Sequence, residues 1–181
     1  MKVLLRIDLS SQAKIRNLKL RRYIMNFINK LYEIFEMYEQ DSYDYKLKLA
    51  KTAFNVVFNR ISSTKGKEYA MNYISILCST ISASDGEPNQ TEFDFFMKAI
   101  DGKFNWNYQG WCDVGLRTNQ PKYHDMLVYN RDIAEREFYD DYFNLQLFVL
   151  SLTMCSCDGN FTQAEKNFVL DYVPFPKSLM K

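Results

Sequence analysis

The sequence predicts an all-α fold: a single compact domain of about seven helices, with an internal helix–turn–helix duplication and a long N-terminal helix. Three observations predict it. Apolar residues recur at steps of three and four along most of the chain, the period of an amphipathic helix. Glycine (6) and proline (4) are scarce among 181 residues, which argues against a turn-rich β-sandwich or barrel. Two Asp-Gly turns, at Asp85-Gly86 and Asp158-Gly159, each stand between an apolar helix and an amphipathic one.

The first helix is predicted from Ser11 to Gln40, with Ile15, Leu18, Ile24, Phe27, Ile28, Leu31, Ile34, Phe35 and Tyr38 at helical spacing and no glycine or proline inside. The second covers Tyr45 to Ile61 and ends at the polar run Ser62 to Gly66. The third runs from Lys67 to about Ser84. Asp85-Gly86-Glu87-Pro88 is a turn, because glycine tolerates positive φ and proline resists a helix interior. A fourth helix follows from about Asn89 to Ile100. Residues 101–120 hold three glycines and both tryptophans and read as a packed loop, with room for one short helix. Pro121 opens a helix to about Tyr129. A sixth is predicted from Asp132 to Cys157, broken by Asp158-Gly159, and a last from Thr162 to Tyr172, stopped by Pro174 and Pro176. Val3 to Leu9 is the one short strand-like stretch. Residues 1–66 are read as an N-terminal helical region packed on the core, and 67–181 as the duplicated region, one domain overall.

Hydrophobic residues make up 47% and charged residues 25%, so whole-chain disorder is excluded. A chain of this length buries a core without help from disulfides or metals. The four cysteines, Cys78, Cys112, Cys155 and Cys157, show no framework spacing. The opening residues are too short for a signal peptide, and no run of 18 apolar residues occurs. The expectation is a cytoplasmic protein with reduced thiols. Net charge is +1, which does not suggest a globally basic nucleic-acid binder. The charge is uneven, however. Residues 1–30 carry eight bases against Asp8 alone, and residues 31–44 carry five acids and no base.

The two turns match residue by residue. Asp85, Gly86, Gln90 and Glu92 correspond to Asp158, Gly159, Gln163 and Glu165, 73 positions on. Leu77, Thr80 and Phe95 likewise match Leu150, Thr153 and Phe168. Two accounts of the turns stand side by side. In the first they are architectural. Thr162-Gln163-Ala164-Glu165 fits a capping box, and Asn89-Gln90-Thr91-Glu92 is a weaker version with asparagine as cap. In the second they supply oxygen ligands. Each glycine lies six residues before a glutamate, the spacing at the end of an EF-hand loop. The earlier ligand positions hold Ile81 and Ala83, or Met154 and Ser156, so neither copy is a complete EF-hand. A cation would need carboxylates from both turns brought together, or a weak site with several waters, and would be hard, Ca²⁺ or Mg²⁺ rather than zinc.

The segment from Ile81 through Asp85-Gly86 to Glu92, repeated from Cys155 through Asp158-Gly159 to Glu165, resembles the TerB-like (tellurite resistance protein B) family. The likeness covers roughly residues 67–172. It implies an all-α domain of about seven helices with an internal duplication. It also implies a divalent cation near the turns, held by Asp85, Glu87, Glu92, Asp158 and Glu165. The implied role is non-enzymatic, in stress, toxicant or phage-defence response, often near membranes or in larger assemblies. Asn160 departs from the pattern, standing where an acid is common.

Other chemistry finds little support. His124 is the only histidine, so a triad, a Cys–His dyad or a zinc site has no second member nearby. Gly-rich phosphate loops are absent, and no organic cofactor is expected. The pairs Glu135/Glu137 and Asp140/Asp141 read as solvated helix acids. The alternative to the cation reading is a helical protein-interaction module. In it Lys14, Arg16, Lys19, Arg21 and Arg22 dock an anionic partner (a protein, a membrane surface or, less favoured, nucleic acid), and the Asp-Gly turns are structural only. The acids from Glu33 to Asp44 would repel a long phosphate backbone. Self-association is left open by the sequence.

Overall fold

A computed structural model describes residues 29–86, 88–138 and 140–180. The described residues are all helical in their regular structure, with no strand. The strand-like stretch Val3 to Leu9 and the predicted helix before residue 29 lie outside them, as do Lys14, Arg16, Lys19, Arg21, Arg22 and Glu87.

The chain divides into two units, residues 1–36 and 37–181. In the first, residues 29–36 are helical, Leu31 and Phe35 are buried, and the Tyr32 and Phe35 rings meet edge-on at 6.1 Å. That helix, α1, runs on to residue 40. The second unit holds α2 (Tyr43–Lys65), α3 (Lys67–Ser82), α4 (Gln90–Ala99), α5 (Tyr108–Thr118), α6 (His124–Glu137), α7 (Asp141–Cys155) and α8 (Gln163–Tyr172). Single 3-10 turns at Pro121–Tyr123 and Lys177–Met180 complete it.

The packing centres on α2, α3 and α7. α2 lies along α7 and α3, while α3 packs on α5 and α7. The face that α2 turns inward follows its apolar period: Ala50, Ala53, Phe54, Val57 and Ile61 are all buried. α7 is buried over most of its length, from Phe143 to Cys155, as its continuous apolar run requires.

Two predicted elements differ from the structure. The stretch 101–120, read as a packed loop with room for one short helix, is helical over eleven residues, α5, capped by Asn107, whose Oδ1 accepts the Gly110 N–H at 2.7 Å. Its glycines hid it, since glycine weakens helices. Gly115 has a packing reason: a Cβ there would overlap the Ser79 backbone carbonyl, so α3 and α5 touch backbone to backbone. Trp111, fully buried, stacks on Phe96 and meets Phe93 edge-on. The helices predicted from Pro121 to about Tyr129 and from Asp132 to Cys157 are divided elsewhere: α6 runs unbroken from His124 through Asp132 to Glu137, and α7 starts at Asp141. Asp140 caps the second, its Oδ1 accepting the Tyr142 N–H at 2.9 Å. No glycine or proline marks this break, so apolar spacing ran through it.

Candidate functional site

Each Asp-Gly turn begins where an apolar helix ends. Gly86 and Gly159 sit at φ +96° and +85°, where other residues are strained. Their N–H groups donate back to the carbonyls of Ala83 (3.0 Å) and Ser156 (3.1 Å). These bonds satisfy carbonyls left open at a helix end.

Three residues past each glycine comes a helix cap. Asn89 Oδ1 accepts the Glu92 N–H at 3.1 Å, and Glu92 Oε2 accepts the Asn89 N–H at 2.8 Å. Thr162 Oγ1 accepts the Glu165 N–H at 3.2 Å, and Glu165 Oε2 accepts the Thr162 N–H at 2.8 Å. Both are reciprocal capping boxes. Both glutamates are buried, with 3% and 2% of their surface exposed. The architectural account of the turns therefore describes what these side chains do.

The turns also meet. Asn89 Nδ2 donates to Asp158 Oδ2 at 3.1 Å, joining copies 69 residues apart in sequence. The other oxygen of Asp158 accepts the Asn160 N–H at 2.9 Å. Asp85 and Asp158 are exposed. Burial pushes the Glu92 carboxyl up to about 8, with Asp158 and Asp85 adding to the rise. Its bond from the Asn89 backbone and the nearby Ser82 hydroxyl work against that rise. Burial likewise pushes Glu165 up to about 8, helped by Glu92 and Asp85 and opposed by its bonds from Thr162. The duplicated sequence thus crowds like charges into one neighbourhood.

The structure also brings in a residue that the sequence analysis missed. Lys46, on the first turn of α2, is 3% exposed. Its Nζ donates to the Ser156 carbonyl at 2.7 Å and to the Glu39 carbonyl at 3.2 Å. Burial lowers its pKa, while Cys157, Asp41, Asp158 and Glu39 hold it up. A lysine between Tyr45 and Leu47 reads as a solvated stem, since lysine is almost never fully buried unless paired. Its partner lies 110 residues away in sequence, so no local signal could have found it.

As arranged, Asp85, Glu92, Asp158 and Glu165 do not fit a Ca²⁺ or Mg²⁺ centre. Hard cations of this kind take six or more oxygens. Among the described residues no group of three His, Cys, Asp or Glu is placed to hold a metal ion. One oxygen of each glutamate closes a capping box, and both oxygens of Asp158 already accept hydrogen bonds. An ammonium sits beside the second turn.

Several other candidate groups have partners within the fold. The His124 ring is half-buried against Tyr172, with Nε2 at 3.3 Å from the Asn119 carbonyl. All four cysteines are free and buried, and burial pushes their thiols up. Asp141 accepts the backbone N–H groups of Lys177 and Ser178, and Glu137 pairs with Lys65 at 2.8 Å. A small cleft lined by Tyr73, Leu77, Leu127, Arg131 and Tyr172 has its one charged member already bound to Asp132 and to the Asp171 carbonyl. No described helix is long and apolar enough to cross a membrane. No protein-family model, curated protein or solved structure matches the chain.

Proposed function

We propose that the chain is a TerB-like, non-enzymatic helical module that docks an anionic partner. The paired Asp-Gly turns form its architectural centre. One observation carries the choice between this reading and the cation reading. Both capping glutamates are spent inside the fold, each on the first turn of its own helix. A recognition role then falls to other residues, and the strongest sequence feature for one is the basic run Lys14, Arg16, Lys19, Arg21 and Arg22. Five cations within nine residues of sequence suit a phosphate-bearing surface or an acidic protein. The stress or defence setting rests on the family resemblance alone.

The test uses polyanions as probes. Retention on a heparin column and co-sedimentation with phosphatidylserine-containing vesicles are measured from 50 to 300 mM salt. The expected result is binding that weakens steeply with salt and drops further in the Arg21→Glu/Arg22→Glu variant. No retention at 50 mM salt, or a charge reversal that changes nothing, would overturn the proposal.

A further inference from the structure

We infer that Lys46 is the resident cation of the second Asp-Gly turn, and that its ammonium makes an external cation there unnecessary. The two copies differ at one equivalent atom. The carbonyl of Ala83, closing α3, receives the neutral amide of Asn119 at 2.8 Å. The carbonyl of Ser156, its counterpart 73 residues on, receives the Lys46 ammonium at 2.7 Å. A helix C-terminus carries partial negative charge on its open carbonyls and favours a cation. Lys46 touches two such ends, that of α7 at Ser156 and that of α1 at Glu39.

The acids complete the environment. Asp158, Asp41 and Glu39 all act on the ammonium. Asp158 in turn bonds Asn89 and acts on Glu92, and Glu92 acts on Glu165. One buried positive charge therefore stands among several acids and two helix ends. A buried charge in such a place persists only when paired. Removing it leaves the Ser156 and Glu39 carbonyls without their cation, in a place where Asp158, Asp41 and Glu39 still favour a positive charge. This holds whether or not the chain docks an anionic partner, because Lys46 lies outside the basic N-terminal run.

The test is thermal unfolding of the full chain after EDTA treatment, then with Ca²⁺ or Mg²⁺ at 1 to 10 mM and matched ionic strength. The wild type should show no cation-dependent rise. Lys46→Met keeps the apolar stem and removes the charge. It should unfold at a lower temperature and recover roughly 5–10 °C when a cation is present at about 100 times its dissociation constant. Adding Asp158→Asn should abolish that recovery. Lys46→Arg, which keeps a cation, should stay unresponsive. Should Lys46→Met fail to fold without a cation, Lys46→Gln supplies a donor to the Ser156 carbonyl, and cation-dependent folding of either variant supports the inference. A folded Lys46→Met or Lys46→Gln with no cation response overturns it. So does a wild type that responds as strongly as Lys46→Met, and so do variants that stay unfolded at every cation concentration. The docking proposal fails by a different readout, loss of polyanion binding, so the two failures are distinguishable.

Discussion

The buried glutamates set the pH dependence of the fold, and a conservative double variant should invert the usual cost of a core substitution. Glu92→Gln/Glu165→Gln is the perturbation. Glutamine at the third helical position is an accepted member of a capping box, so both caps survive. What disappears is titration. In the folded chain each carboxyl is pushed up to about 8 from an ordinary 4.5, chiefly by burial. Between those values the folded state holds a proton that the unfolded state has lost. Stability must then fall as pH rises, because the native state binds more protons. The effect is absent below about pH 4.5 and complete above about pH 8. One proton costs about 1.4 kcal/mol per pH unit. Glu92 raises Glu165, so the two carboxyls titrate as a pair. Counting one effective proton over pH 5 to 8 gives a loss of about 4 kcal/mol, or roughly 10 °C in Tm. Urea or thermal unfolding across that range is the assay. Wild type and variant should be similar at pH 5, with the variant the more stable at pH 8. A wild type whose stability is flat or rises from pH 5 to 8, or a variant that is weaker at pH 8, would refute the reasoning.

Two further outcomes follow from packing and capping. Gly115→Ala should destabilise by about 1–3 kcal/mol, because its methyl meets the Ser79 backbone and α3 and α5 must separate; an unchanged Tm would show that the two helices are not in backbone contact. Asp140→Ala should cost about 1 kcal/mol through loss of the α7 cap, a fall of roughly 2–4 °C in Tm. A variant as stable as the wild type would mean that α6 and α7 are divided by packing rather than by the cap at Tyr142.

The all-α class was legible because its signals are periodic and local. Apolar steps in α2, α3 and α4 follow the helical repeat, and the box at Thr162 to Glu165 is written in four residues. The second box was legible in outline, with Asn89 as its cap. Elements that depend on distant partners were not. α5 reads as loop because Gly110 and Gly115 lower helix propensity, while the compensation for Gly115 lies on α3 at Ser79. The break before α7 escaped notice because Asp140 and Asp141 look like ordinary solvated acids on a continuous apolar helix. Burial is the hardest property to read at a charged position. Glu92 and Glu165 show their capping role in sequence but not that the second copy's turn folds against the first. Lys46 shows nothing at all, since both of its carbonyl acceptors are backbone atoms without a sequence signature.

Duplication explains why these charged residues are buried together. A repeated helix–turn–helix unit carries the same acids at the same offsets, so copies that meet at their turns bring like charges together. Burial is the chief reason that Glu92 and Glu165 hold their protons more tightly, and the neighbouring acids, Asp85 in both cases, add to it. The copies relieve this where their sequences differ. Asn160 stands beside the second turn with a backbone N–H on Asp158 instead of another carboxylate. Asn89, the cap of the first copy, spends its amide on Asp158 of the second. Lys46 brings a positive charge from outside the repeat altogether. In the first copy the corresponding carbonyl is served by Asn119, also from outside the repeated motif but uncharged. The departures from symmetry are therefore where the electrostatic cost of the repeat is offset. It follows that exchanging the two helix-end partners, Asn119 and Lys46, is not neutral even though each satisfies one carbonyl: only one of them supplies the charge that the crowded acids lack.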